Sequence, residues 1–222
     1  MVENGFEQAR FNMVEQQIRP WDVFDPLVLG QFLTLPRDVF VPNAYKGLAY
    51  ADIEIPLAHG QAMMFPRMEA RLIQILAIQP EDQVLEVGTG SGFLSACLAK
   101  LANRVVSIDI HKDFTEMAER NLDALEIRNV LLRTSDAMTT PSPDGPFDAI
   151  AVTGSVPTSA QAEIFRQQLK PGGRLFIIIG TAPVMEAWLI TRESETTFRE
   201  EIILETEQVP LESTTQPEAF EF

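Results

Sequence analysis

Cysteine and histidine are almost absent: the 222 residues include one cysteine, Cys97, and two histidines, His59 and His111. A lone thiol excludes an internal disulfide and suits a reducing compartment. Three such side chains are too few for a Cys/His structural zinc site, and no metal is expected. Cations are also scarce. Seventeen Lys and Arg stand against 32 Asp and Glu, for a net charge of −15, and that field repels phosphate backbones, so nucleic acid is not an expected partner. Residues 183–222 hold ten glutamates and only Arg192 and Arg199, which we read as a solvated acidic face. No apolar run approaches the roughly 18 residues of a membrane span. The start, Met1-Val2-Glu3-Asn4-Gly5-Phe6-Glu7, has neither the basic nor the apolar region of a secretory signal. A cytoplasmic protein without a membrane partner is therefore expected. What remains, 45% hydrophobic and 22% charged residues, suits one large globular unit with a short appendage.

Apolar residues at Phe6, Ala9, Met13 and Ile18 follow helical spacing up to Pro20, and a second helix is predicted over 26–35. Residues 37–56 read as an ordered irregular loop. Met68, Leu72, Ile75 and Leu76 predict a helix over 66–77, entered through Pro66. From there short apolar runs (84–87, 105–110, 130–132, 149–152, 175–179) alternate with amphipathic stretches (93–101, 114–125, 160–169). Runs that short, rich in Val and Ile, suit parallel strands buried on both faces, so the pattern predicts a doubly wound α/β domain. Thr158 with Gln161 reads as a capping box, and Lys170-Pro171-Gly172-Gly173 as that helix's stop. Segments 187–191 and 202–211 are predicted to form an antiparallel hairpin at the sheet edge, followed by a polar tail over 212–222.

The strongest local signal is Val84-Leu85-Glu86-Val87-Gly88-Thr89-Gly90-Ser91-Gly92-Phe93, a strand entering a glycine-rich turn and then a helix. Its glycines admit positive φ and close approach of a ligand at the carboxyl end of a sheet. The dinucleotide fingerprint needs glycine at the first, third and sixth positions, but the third glycine falls at the fifth, Gly92, and no Gly-Lys-Ser/Thr of a phosphate loop follows. Glu86 beside the turn would repel a pyrophosphate and attract a cation. Asp109, about twenty residues on, suits ribose hydroxyls, and Asp136 after the next strand an adenine amino group. Carboxylates at the ends of three consecutive strands describe a pocket for a phosphate-free nucleoside.

These residues resemble the S-adenosylmethionine-dependent methyltransferases, and among them the protein-L-isoaspartate O-methyltransferases. Besides the glycine block, the resemblance rests on Leu35-Pro36-Arg37-Asp38-Val39-Phe40-Val41-Pro42, Ile55-Pro56-Leu57 with Gly60-Gln61, Phe147-Asp148-Ala149-Ile150 with Thr153-Gly154, and Leu169-Lys170-Pro171-Gly172-Gly173-Arg174-Leu175. It implies a Rossmann-like, mostly parallel seven-stranded sheet with an N-terminal helical extension. It divides the chain into a helical and acceptor-loop region (1–65), a methyltransferase domain (66–211) and the tail. It also implies S-adenosyl-L-methionine as cofactor and an isoaspartyl protein or peptide as acceptor. Glu86, Gly88, Gly90, Ser91 and Gly92 would line its methionine and ribose, Asp109 and Ile110 would hold the ribose, and Asp136 and Ala137 would flank adenine. Thr153 and Gly154 would lie near the acceptor.

One stretch departs from the family. Where its members usually have Thr-Ile-Ser after Gly-Gln, this chain has Ala62-Met63-Met64 after Gln61. Two hydroxyl positions are apolar, which removes charge-assisted hydrogen bonds of about 1.5 to 3 kcal/mol each toward a carboxylate acceptor. A small-molecule acceptor or a catalytically silent relative are the alternatives. Gln61, Ala62, Met63, Met64 and Gly154 form the expected acceptor side, and His59, Met64 and Thr153 are the candidates nearest the chemistry. His59 could donate a hydrogen bond or act as a base, or be a surface-loop residue. An ionised carboxylate needs no base, since its reference pKa is about 4, so scarce histidine does not argue against methyl transfer. Cys97 shares a helical face with Leu94, Leu98 and Leu101, which predicts core packing.

Overall fold

The structure, a computed structural model, describes residues 2–215, with side chains from Phe6 onward; the distal part of the predicted tail, 216–222, lies outside the described residues. Helix α1 (Val2–Met13) runs on through a π turn, Val14–Ile18, and a 3-10 turn, Arg19–Trp21. Helix α2 (Pro26–Thr34) starts where Asp25 caps it, its carboxylate accepting the Leu27 N–H at 2.8 Å, with proline at the position that needs no N–H. The segment read as an irregular loop contains two 3-10 turns, Arg37–Val39 and Asn43–Leu48. It ends in a hairpin that periodicity could not show, β1 (Ile55–Pro56) against β2 (Ala62–Met63). Helix α3 (Pro66–Leu76) follows as predicted.

Strands β3 (Gln83–Val87), β4 (Arg104–Asp109), β5 (Val130–Thr134), β6 (Phe147–Val156), β7 (Leu169–Thr181), β8 (Val184–Arg192) and β9 (Phe198–Glu205) form one seven-stranded sheet. Its order is β5-β4-β3-β6-β7-β8-β9. The first five are mutually parallel, while β8 and β9 are antiparallel, making the edge hairpin the sequence predicted. Helices α4 (Phe93–Ala99) and α5 (Lys112–Ala124) connect β3 to β4 and β4 to β5. From Val84 on, β3 is buried on both faces, which is why its run has no polar alternation. After β5 the chain returns to the other side of β3. Strand order therefore reverses at β3, and the carboxyl ends of β3, β4 and β6 open a crevice there.

Two local predictions fail. The helix predicted over 158–169 is a 3-10 turn, Ser159–Ala162, and the single turn α6 (Glu163–Arg166). Thr158 makes no side-chain cap, and the Gln161 amide donates to the Thr215 carbonyl instead, at 2.6 Å. Lys170-Pro171-Gly172-Gly173 lies inside β7 rather than stopping a helix: pairing with β6 slips between Phe147–Leu169 and Ala149–Arg174, and the extra residues bulge out. The same Gly-rich composition serves a bulge or a helix stop, and only strand pairing decides which. Strand β9 runs over Phe198–Glu205 rather than the predicted 202–211. Residues 208–211 leave the edge and run back to β6. Among the described residues no helix is long and apolar enough to cross a membrane.

Candidate active site

The turn after β3 bends because its glycines hold positive φ, 96° at Gly88 and 85° at Gly92. Their neighbours differ. A Cβ on Gly88 would lie 2.1 Å from Thr153 Oγ1, whereas one on Gly92 would meet Ala118 of α5 at 2.9 Å. Gly88 thus shapes the crevice, and Gly92 lets α4 approach α5 behind it. The Thr153 hydroxyl donates to the Val87 and Gly88 carbonyls at 3.0 and 3.1 Å, tying β6 to the turn.

Glu86 is fully buried beneath this turn. One carboxylate oxygen, Oε2, accepts from Ser95 Oγ and, at 2.5 Å, from Ser107 Oγ, while Oε1 has no partner among the described residues. Burial pushes its pKa up to about 8, against the pull of the two serine hydroxyls. Asp109, at the end of β4, is also pushed up by burial, although the backbone N–H groups of Gly90 and His111 hold its two oxygens at 2.9 and 3.0 Å. Asp136 follows β5 and accepts the Met138 N–H at 2.9 Å.

A cleft of about 700 Å³, open to solvent, unites Gln61, Ala62, Gly88, Gly90, Asp109 and Ile110 with Asp136, Ala137, Thr153 and Gly154. A smaller hollow of about 330 Å³ shares Ala62, Gly88, Gly90 and Thr153 with it and adds Met63, Met64, Glu86 and Ser91. Fourteen of the sequence-predicted site residues therefore meet in two joined spaces. Gly92 does not, and His59 stands on the rim with Nε2 on the Asp113 carboxylate at 2.9 Å. Met63 and Met64 are both buried.

Three features were not legible beforehand. Residues 208–212 form a strap along one wall: the Ser155 N–H donates to Val209 O at 3.0 Å, the Leu211 N–H donates to Ser155 O at 2.8 Å, and Leu211 lies over Gly154. Its only sequence signal was Pro210 inside a supposed strand. Arg37, completely buried, pairs with buried Glu69 under the hollow and donates to the Met64 carbonyl at 2.9 Å. Its guanidinium lies 4.6 Å from the centre of the Phe93 ring. The third is the pair Ser95 and Ser107, which holds Glu86.

Residues 9–216 match the protein-family model described as protein-L-isoaspartate(D-aspartate) O-methyltransferase. The chain belongs to that family. A protein-L-isoaspartate O-methyltransferase 1 of Pelobacter propionicus is 34% identical over 210 residues, 93% of this chain and 97% of its own. One from Rhodopseudomonas palustris is 36% identical over 208 residues, 93% of this chain and 84% of its own. In three dimensions the chain is similar to a Plasmodium falciparum beta-aspartate methyltransferase solved with S-adenosyl-L-homocysteine, with a TM-score of 0.75 at 22% identity over 94% of this chain and 99% of that one. Another protein-L-isoaspartate O-methyltransferase structure gives 0.77 at 24% identity, over 90% of this chain and 65% of that one. At those identities the structural likeness speaks for the fold, which is the seven-stranded methyltransferase fold the family implies. Family membership rests on the sequence match.

Proposed function

We propose that this member of the family transfers the methyl group of S-adenosylmethionine to the free carboxylate of isoaspartyl residues in damaged proteins or peptides. The observation that carries this reading is the unpartnered Oε1 of buried Glu86 beside the glycine turn, in a cleft shared with Asp109 and Asp136. A buried acceptor left unsatisfied costs about 1 to 3 kcal/mol. An ammonium group can donate to it, and a pyrophosphate, which offers only acceptors, cannot.

Bound there, the cofactor supplies a methyl group on a positively charged sulfur. Glu86, Gly88, Gly90 and Ser91 serve its methionine end, Asp109 and Ile110 the ribose, and Asp136 and Ala137 the adenine. Gln61, Ala62, Met63, Met64 and Gly154 face the acceptor. The apolar walls of the hollow, from Leu57, Met63, Met64, Phe93 and Leu94, keep water out. That favours a displacement in which a negative nucleophile and a positive donor neutralise each other. The carboxylate arrives ionised, so alignment rather than proton transfer is what the protein contributes. Thr153 fixes the β6 end against the turn and acts through position.

Ala62-Met63-Met64 favours a second reading, the same cofactor with a small-molecule acceptor, because the hairpin offers no hydroxyl where a carboxylate would bind. Regions 1–65 and 66–211 divide as acceptor cover and cofactor domain in either case. The net charge of −15 supports a protein or peptide partner over nucleic acid, and a single buried, unpaired Cys97 suits the cytoplasm. Calorimetry with S-adenosylmethionine and S-adenosylhomocysteine tests the cofactor; no heat at millimolar ligand removes the enzyme reading. Methyl transfer to an isoaspartyl peptide but not to its aspartyl twin supports repair, and equal inactivity on both with the cofactor bound removes the repair reading.

A further inference from the structure

The chain's only two histidines come together on the rim of the cleft, His59 from the β1–β2 turn and His111 from the start of α5. Their rings stack face to face, with centroids 3.8 Å apart and planes 5° from parallel. The ring of Phe114 meets both from one side, at 5.4 and 5.5 Å, and gives the pair an apolar backing. Each Nε2 also reaches a carboxylate, His59 to Asp113 at 2.9 Å and His111 to Glu212 of the strap at 2.6 Å. The cation next in sequence, Lys112, pairs with Glu116 at 2.8 Å. Ligand atoms of His59, His111 and Asp113 all lie within 4.8 Å of one another.

We propose that His59, His111 and Asp113, with Glu212 as fourth ligand, bind a divalent transition metal ion of the zinc type at the mouth of the cleft. Two imidazoles and carboxylate oxygens are a donor set that such ions prefer over magnesium or calcium, which take all-oxygen shells. Zn–N bonds of about 2.0 to 2.1 Å require the ring nitrogens to converge on one point. The parallel rings must splay to do so. His59, with a side chain 40% exposed on a turn, has room to swing. Each Nε2 then exchanges a carboxylate hydrogen bond for the metal and keeps its ring proton on Nδ1. An ion there ties together the acceptor-side turn, the helix that follows Asp109 and the strap over Gly154. Nothing in this site draws on the cofactor, so it stands or falls apart from the methyltransferase reading.

The test uses the untagged full chain, titrated with zinc chloride and separately with cobalt(II). Because no other histidine exists, every imidazole signal in a proton NMR spectrum reports this site. Expected are uptake of one zinc per chain with Kd of about 10 µM or tighter, movement of both imidazole signals, and visible cobalt bands of tetrahedral intensity. His59→Ala, His111→Ala and Asp113→Asn should each weaken zinc binding tenfold or more, with an unchanged far-ultraviolet circular dichroism spectrum showing that the fold persists. Imidazole signals unmoved at about 1 mM zinc, a dissociation constant above that value, or uptake undiminished in the double variant His59→Ala/His111→Ala would overturn the proposal.

Discussion

Gly88 and Thr153 fill one another's space: a Cβ on Gly88 would fall 2.1 Å from the Thr153 hydroxyl oxygen, and that hydroxyl holds the Gly88 carbonyl. The glycine turn is therefore shaped from across the sheet, by the neighbouring strand β6.

Gly88→Ala should weaken binding of S-adenosylhomocysteine at least tenfold, about 1.4 kcal/mol. The new methyl must displace Thr153, and the residue sits at a φ of 96° that L side chains rarely adopt. Adding Thr153→Ala relieves the clash but not the backbone strain, so calorimetry should find only partial recovery. Complete recovery would show that the strain is immaterial.

Glu86 sets a pH dependence of known sign. Its folded-state pKa is raised from 4.5 to about 8, so the proton it holds stabilises the unliganded fold fully below about pH 4.5. That stability is lost as pH rises to about 8. Burial likewise pushes Glu69 up to about 7, so melting temperatures should fall across this window, and less so in Glu86→Gln. A cationic ligand favours the ionised form. Binding of S-adenosylmethionine should then release a proton at neutral pH and tighten as pH rises toward 8, measured by calorimetry in buffers of different ionisation enthalpy. Equal apparent enthalpies in all buffers would sink this account.

Arg37→Met removes the partner of the buried Glu69 carboxylate and frees the Met64 carbonyl. A loss of about 3 to 5 kcal/mol is expected in urea unfolding above pH 7, where Glu69 is ionised. The loss should shrink in acid, where Glu69 is protonated and needs no partner. Arg37→Met with Glu69→Leu should recover most of it, because both polar partners are then gone.

Ala62→Thr with Met64→Ser should raise methylation of an isoaspartyl peptide about a hundredfold if each restored hydroxyl contributes about 1.5 kcal/mol. Met64 is 4% exposed, so its truncation also opens a void and should lower stability by about 2 to 4 kcal/mol. Peptide assays and melting curves separate the two effects. An unchanged rate in a folded variant means the acceptor lies elsewhere in chemistry.

Much of the fold was legible because its signals are local. The runs at 84–87, 105–110 and 149–152 became the buried parallel strands, and the Gly88–Gly92 spacing with Glu86, Asp109 and Asp136 located the cleft. The failures were local signals with two meanings. Thr158 with Gln161 looked like a cap, and Lys170-Pro171-Gly172-Gly173 like a stop, until strand pairing drew the latter into β7.

The sequence alone determined the alternation of elements, the phosphate-free character of the pocket and the family, because periodicity, glycine conformation and charge act over a few residues. Tertiary structure alone decided what meets across the chain. His59 reaches Asp113 over 54 residues, His111 reaches Glu212 over 101, and Leu211 closes on Gly154. Such contacts depend on the path the backbone takes around the sheet, and no spacing along the chain encodes where two loops will touch.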